Sequence, residues 1–318
     1  MKQIVLTGPT SMLGIALIKK CIEEGTKVLA IANPGSAKIK EIPGVPGTGV
    51  GEGLVKVIEC SLQDIRDLNV ERVTEFLDAP DCFFHLGWAA TTHEGRMNVY
   101  PHIDNITYTI DAVELASRMG CKKFVGAGSQ AEYGRTDMPL KGDTPAKPEV
   151  PYGVAKLAAG QMSRIRCNQL GMEHVWVRIL SAYGPFDSKQ TLVSTLVKTL
   201  FEGGHFATTK GEQIWDFIHA SDVAKALYLI GEKGVSGKIY PIGSGTGRPL
   251  KEFICKASDI AVKNNYGQAG EASLGFGEIP YGPLQIMHLK ADISELTEDT
   301  GFVPEVSFEE GIKALLEM

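Results

Sequence analysis

The chain has 318 residues, 43% hydrophobic and 22% charged, which suits a soluble globular protein of about two domains. Its formal net charge of -6 argues against a general binder of nucleic acid or of acidic membrane, although helix N-termini can still hold a phosphorylated ligand. No apolar run reaches membrane-spanning length. The six cysteines (Cys21, Cys60, Cys82, Cys121, Cys167 and Cys255) form no Cys-x-x-Cys pair and read as reduced, mostly buried thiols of a cytoplasmic protein.

Met1-Lys2-Gln3 leads straight into the apolar run Ile4-Val5-Leu6, so no signal peptide is expected. That run ends at Thr7-Gly8 and predicts a buried parallel strand. An amphipathic helix opens over Pro9-Thr10-Ser11-Met12-Leu13-Gly14 and carries on through Ile15, Leu17, Ile18 and Cys21. A second strand follows at 28–31. A strand–turn–helix–strand unit with glycine in the first turn is where a dinucleotide pyrophosphate meets a helix N-terminus. Gly8 permits the tight turn, and Gly14 lets helix and strand pack closely. Ser11 stands at the middle glycine of the usual pattern and has a hydroxyl to offer a phosphate.

The end of the second strand tests which dinucleotide binds. An Asp or Glu there would accept ribose hydroxyls. The chain has Asn33-Pro34-Gly35-Ser36-Ala37-Lys38 instead. Asn33 and Ser36 are candidate phosphate contacts, and Lys38 or Lys40 balances the charge. NADP(H) is therefore favoured, with NAD(H) as the alternative. Residues 43–53 are rich in Pro and Gly and read as a surface loop.

Strands are expected at 55–58, 82–86 and 124–129. Helices are expected from about Asp64, after Ser61-Leu62, and over 99–119. The alternation implies an α/β fold with a doubly wound parallel sheet. Ser129 ends a strand, at the edge where open α/β sheets bind ligands. His85 reads as a packed strand histidine, and His93, His102, His205 and His219 lack metal-ligand spacing, so no metal is expected. Pro151-Tyr152-Gly153-Val154-Ala155-Lys156 then opens a helix, with Pro at a position that needs no N–H. Tyr152 and Lys156, four residues apart, face one way. A nearby ammonium favours a phenolate, which suits Tyr152 to move a proton on and off a sugar or alcohol oxygen. Further on, helices are expected at 192–201, 250–262 and Phe308–Leu316, strands at 206–209 and 239–243, and a strand end with a helix at 216–230.

Thr7 to Gly14, His85-Leu86, Asn105, Ser129-x-x-x-Tyr133-Gly134, Tyr152-x-x-x-Lys156, Arg178-x-x-x-x-Tyr183-Gly184-Pro185 and Asp216-Phe217-Ile218-His219-x-x-Asp222 occur in that order. Together they resemble the extended short-chain dehydrogenase/reductases, most closely the nucleotide-sugar epimerase/dehydratase family, along essentially the whole chain. The resemblance implies a Rossmann domain over 1–180, rejoined by 215–242, and a smaller α/β substrate lobe over 181–318. It implies that Ser129 holds the substrate oxygen and that Tyr152 is the acid/base. Lys156 would hold nicotinamide-ribose hydroxyls and lower the tyrosine's pKa, and Asn105 would support the site through its helix backbone. Implied cofactor contacts are Gly8, Thr10, Ser11, Met12, Leu13, Asn33, Ser36, Lys38, Ser61, Leu62, Leu86, Gly87, Trp88, Gly128, Tyr152, Lys156 and Ile179. Implied substrate contacts are Ser129, Gln130, Ser181, Thr191, Leu192, Phe206 and Trp215. The family's dimer pairs helices 97–119 and 152–170 in a four-helix bundle, so a homodimer is expected.

Three departures narrow the reaction. The family's 4,6-dehydratases carry Asp-Glu directly after the active-site Ser or Thr. Here those positions are Gln130 and Ala131, and Glu132 is offset by one, which argues against dehydration. Ser181 replaces an asparagine and Trp215 an arginine that grip the diphosphate in the family. The expected activity is hydride transfer at a sugar carbon, C4 foremost, as a 4-keto-deoxysugar reductase. The alternatives are a 4-epimerase with tightly held NAD, a simple aldehyde or ketone reductase, and a non-catalytic cofactor sensor. The expected partner is a nucleotide-diphosphate sugar, with no nucleic acid and no membrane.

Overall fold

A computed structural model describes residues 1–318 apart from 47, 49 and 72–74. The chain runs β1 (Gln3–Thr7), α1 (Met12–Glu23), β2 (Lys27–Ala32), β3 (Val55–Glu59), β4 (Cys82–His85), α2 (Val99–Arg118), β5 (Lys123–Ser129), α3 (Pro151–Gln169) and β6 (Glu173–Ile179). It continues through β7 (Ser181–Tyr183), α4 (Leu192–Glu202), β8 (His205–Thr208), β9 (Ile214–Trp215), β10 (Phe217–His219), α5 (Ala220–Lys233) and β11 (Ile239–Ile242). It ends with β12 (Arg248–Pro249), α6 (Leu250–Lys263), β13 (Ser273–Phe276), α7 (Ser294–Thr300) and α8 (Phe308–Leu316).

Seven strands form one parallel sheet in the order β11-β6-β5-β4-β1-β2-β3. Successive side chains on a strand point to opposite faces, and parallel strands are covered on both. Ile4 and Leu6 accordingly pack with Leu17 and Ile18 of α1 and Val223 and Leu227 of α5. Val5 packs on the other face with Ala112, Val113 and Ala116 of α2 and Cys167 of α3. Each aliphatic side chain buried in this way contributes ~1.5–3 kcal/mol. The strand order reverses between β1 and β4, which opens a crevice at the carboxyl ends of the strands.

Local signals set the helix starts. Asn98 caps α2 by accepting the Tyr100 N–H, Pro151 occupies the first turn of α3, and Thr191 caps α4 by accepting the Ser194 N–H. The helix expected from about Asp64 is, among the described residues, one 3-10 turn over Ile65–Asp67. Its continuation through 72–74 lies outside them, as do 47 and 49 of the loop expected over 43–53. No helix of the described residues is long and apolar enough to cross a membrane.

After β6 the chain moves between two packing units. Val193, Leu196, Phe206, Phe253 and Phe308 build the core of a small lobe. Ile218 of β10 and Val223 of α5 join the sheet core instead. So do Leu296 and Phe302, which lie within the 181–318 stretch expected to form the lobe. Buried apolar side chains at these two positions draw the 294–302 segment back onto the sheet.

Candidate active site

The turn after β1 is built for close approach. Gly8 has φ +72°, and a Cβ on Gly14 would stand 2.2 Å from the Gly8 carbonyl oxygen. Only glycine brings α1 this near the strand. Ser11 caps α1: its hydroxyl donates to the Gly8 carbonyl (2.8 Å) and accepts from the Gly14 N–H (3.0 Å). The hydroxyl expected to reach a phosphate is thus already spent on the turn, and the helix N–H groups are what the turn presents to an anion.

A cleft of about 480 Å³ runs past this turn and the ends of β2, β3 and β4. Gly8, Thr10, Ser11, Asn33, Lys38, Ser61, Leu62, Leu86, Gly87 and Trp88 line it. The side chains of other expected cofactor contacts do not line this cleft, while Met12 and Leu13 carry the first N–H groups of α1 beside it. Met12 lines a separate cavity of about 150 Å³ between α1 and α5. Leu13 packs against the sheet core. Ser36 begins a 3-10 turn without a side-chain hydrogen bond. Gly128 and Ile179 sit at the ends of β5 and β6. Near Asn33, the Gly35 N–H donates to the Glu59 carboxylate (2.6 Å), an acid at the end of β3.

Tyr152, Lys156, Ser129 and Asn105 are all buried, at 8%, 4%, 8% and 1% exposure. The Tyr152 ring meets His102 (5.5 Å) and Trp88 (6.2 Å) edge-on. The Arg96 guanidinium lies over it at 5.0 Å. Lys156 Nζ donates to the Ala127 carbonyl (2.6 Å) and rests 3.7 Å from the Trp88 ring centroid. Asn105 braces the loop after β4, accepting from the Ala89 N–H (2.9 Å) and donating to its carbonyl (3.1 Å).

Burial pushes the Tyr152 phenol up, and Arg96 followed by a hydrogen bond from Ser129 draws it back. Lys156 is turned toward Ala127 and Trp88, and burial pulls its own pKa down to about 7. His85 is a packed strand residue, bonded to Thr7 and Thr109 and held by burial at about 3.

Glu132 is fully buried beneath Ser129. Its carboxylate accepts from the Ser129 N–H (2.8 Å), from Trp176 Nε1 (3.1 Å) and from Arg178 Nε (2.7 Å). Ser129 and Glu132 form a reciprocal capping box. The S-x-x-E spacing was visible in the sequence, but the partner Arg178 is 46 residues away. Gln130 has a buried Oε1 with no hydrogen-bond partner among the described residues.

The expected lobe contacts scatter. Thr191 bonds Asp187 (2.8 Å) as it caps α4, and Leu192 lies against the lobe core. Phe206, 6% exposed, is part of that core, so its side chain is committed to packing. Ser181 pairs with Phe217, and Trp215 wedges between the lobe core and the cluster around Tyr133 and Leu289. The contacts of Arg96 and His102 with Tyr152 are not legible in the sequence, because neither falls in a motif and both reach the ring through tertiary packing.

Residues 4–243 match the model of the NAD dependent epimerase/dehydratase family. A putative UDP-glucose 4-epimerase of Methanocaldococcus jannaschii is 25% identical over 98% of this chain and 97% of its own. The dTDP-6-deoxy-L-talose 4-dehydrogenase (NAD(+)) of Aggregatibacter actinomycetemcomitans is 23% identical over 83% of this chain and 93% of its own. Among solved structures, the UDP-glucose 4-epimerase of Thermotoga maritima with UDP-glucose superposes with a TM-score of 0.81, at 22% identity, over 99% of this chain and 97% of that one.

Proposed function

The chain belongs to the NAD-dependent epimerase/dehydratase family and is an enzyme of the extended short-chain dehydrogenase/reductase type, and from that premise we propose that it reduces a 4-keto-deoxysugar carried on a nucleoside diphosphate. The observation that sets dehydration aside is Glu132, and the lean of Asn33 and Lys38 toward NADP(H) favours a net reduction over an epimerase. The Glu132 carboxylate is consumed by Arg178, Trp176 and the Ser129 N–H. With Gln130 and Ala131 at the neighbouring positions, no side chain after Ser129 is free to shuttle the protons of a dehydration.

The residues present fit a nicotinamide dinucleotide. The Gly8–Gly14 approach leaves a cradle that a Cβ would fill, and the cleft beside it is of ligand size. The glycine turn and the N-terminus of α1 would hold the pyrophosphate, and Asn33 and Lys38 an adenosine 2′-phosphate, which makes NADP(H) the preferred form. When bound, the dinucleotide supplies the hydride. Tyr152 gives its phenolic proton to the sugar oxygen, and Ser129 orients that oxygen. Gln130, whose buried Oε1 has no partner among the described residues, reads the substrate. Lys156 rests on the Trp88 ring and Asn105 holds the backbone of the next residue, Ala89, so both position the site. Ser181 and Trp215, in place of a more polar diphosphate grip, suit a divergent sugar.

We also propose a homodimer. Val99, Tyr100 and Ile103 on α2 and Val154, Met162 and Ile165 on α3 are each at least half exposed. They lie on two helices packed side by side, and a second copy laid on them completes a four-helix bundle.

The deciding assay supplies 4-keto-6-deoxy nucleotide sugars with NADPH. Stoichiometric oxidation, lost in Tyr152→Phe, is the expected result. Interconversion of unreduced sugars without net cofactor change would replace the reductase with a 4-epimerase.

A further inference from the structure

We propose that Glu59, at the end of β3, is a specificity residue for the dinucleotide. Its carboxylate sits on the turn that would take an adenosine 2′-phosphate and restrains the preference for NADP(H), so that NAD(H) is also accepted. The proposal rests on the reading above that the cleft at the ends of β2 and β3 receives the adenosine end of a nicotinamide dinucleotide.

Strand pairing puts the acid there. Glu59 stands opposite Ala32, the last residue of β2, and just beyond them the Cys60 N–H donates to the Ala32 carbonyl (2.9 Å). A side chain at the end of β3 is therefore next to the turn that leaves β2. On that turn the Glu59 carboxylate accepts the Gly35 N–H at 2.6 Å. Gly35 has φ +68°, and a Cβ on it would meet nothing within 4 Å. Packing leaves the position open, so what glycine supplies is the left-handed backbone that turns its N–H toward an anion. The acid that β2 lacks at Asn33 thus reaches the same turn from the neighbouring strand. Asn33 and Lys38 line the cleft beside it.

Charge decides the consequence. Lys38 and Lys40, on the 3-10 turn Ala37–Glu41, form no ion pair with Glu59 among the described residues. The two lysines attract a 2′-phosphate, while Glu59 repels it and competes for the Gly35 N–H. A ribose with a free 2′-hydroxyl brings no charge and can donate to the carboxylate. Glu59 therefore weakens the binding of the phosphorylated dinucleotide selectively. For groups sharing one turn, ~6 Å apart in a water-like dielectric, a unit charge facing a doubly charged phosphate weakens binding about tenfold.

Titration calorimetry on the parent, Glu59→Gln and Lys38→Ala measures the dissociation constants of NADPH and NADH. Glutamine keeps an oxygen for the Gly35 N–H, so Glu59→Gln should retain the parent's thermal unfolding. It should bind NADPH about tenfold more tightly and NADH no more tightly than the parent. The gain should shrink in ~1 M salt, where charges are screened within about 3 Å. A carboxylate that merely braces the turn would change both dinucleotides alike and would not respond to salt. Equal changes for the two, or an unmoved NADPH-to-NADH ratio at low salt, overturns the proposal. If Lys38→Ala weakens NADPH while that ratio stays unmoved in Glu59→Gln, the placement of the dinucleotide stands and the proposal alone falls. If neither substitution alters the binding of either dinucleotide, that placement falls with it.

Discussion

Replacing Glu132 with glutamine separates a structural carboxylate from a catalytic one. The Glu132 side chain is fully buried and that of Arg178 is 3% exposed. Glutamine keeps an oxygen for the Ser129 and Trp176 donors but leaves the guanidinium in the interior without a counter-charge. Removing one partner of such a pair costs ~3–5 kcal/mol. Glu132→Ala also strands two buried donors, for ~1–3 kcal/mol each. Against a total stability of ~5–15 kcal/mol, Glu132→Gln should lower the urea midpoint by ~1–2 M at an unchanged slope. The double change Glu132→Gln with Arg178→Met should regain much of the loss, because no unpaired charge remains. Equilibrium unfolding of the four proteins at neutral pH gives the comparison. If Glu132→Gln stayed within ~1 kcal/mol of the parent while turnover vanished, Glu132 would be an acid/base group, and the argument against dehydration would fail.

Asn33→Asp should reverse the cofactor preference, since a carboxylate repels a 2′-phosphate and accepts ribose hydroxyls; titration calorimetry showing equal affinity of the parent protein for both dinucleotides would remove the case for NADP(H). Burial holds His85 at about 3 and His174 at about 4, below their ordinary 6.5. The unfolded chain therefore takes up protons that the fold refuses, and stability should be lost as pH falls from about 6.5 to about 4. The loss should approach ~1.4 kcal/mol per pH unit for each histidine, so equal urea midpoints at the two ends of this range would contradict it. Ile103→Glu, on the exposed face of α2, should leave the fold intact and shift sedimentation to a monomer; an unchanged sedimentation coefficient would mean that this face is not the contact.

Much of the fold was legible because its signals are local. The apolar run Ile4-Val5-Leu6, the glycine turn and the amphipathic helix beyond it specify a strand–turn–helix within about twenty residues of chain. Tyr152 and Lys156 share a face of α3 through the helical repeat alone. The helix expected from about Asp64 starts as a 3-10 turn at Ile65–Asp67, and its continuation through 72–74 lies outside the described residues.

The charges around Tyr152 were decided only by tertiary structure. Spacing brings Lys156 near the phenol, while the Ala127 carbonyl and the Trp88 ring that meet its ammonium come from other segments of the chain. Arg96 reaches the same ring from a loop braced by Asn105, and Glu132 is claimed by an arginine on β6. Side-chain identity and helical period depend on neighbours in sequence, so the chain by itself determined the Rossmann sheet and the Ser129–Tyr152–Lys156 set. Electrostatic energy depends on burial and on distances across the fold, so which groups surround the phenol, and which carboxylate is left free, was determined only once the sheet had closed.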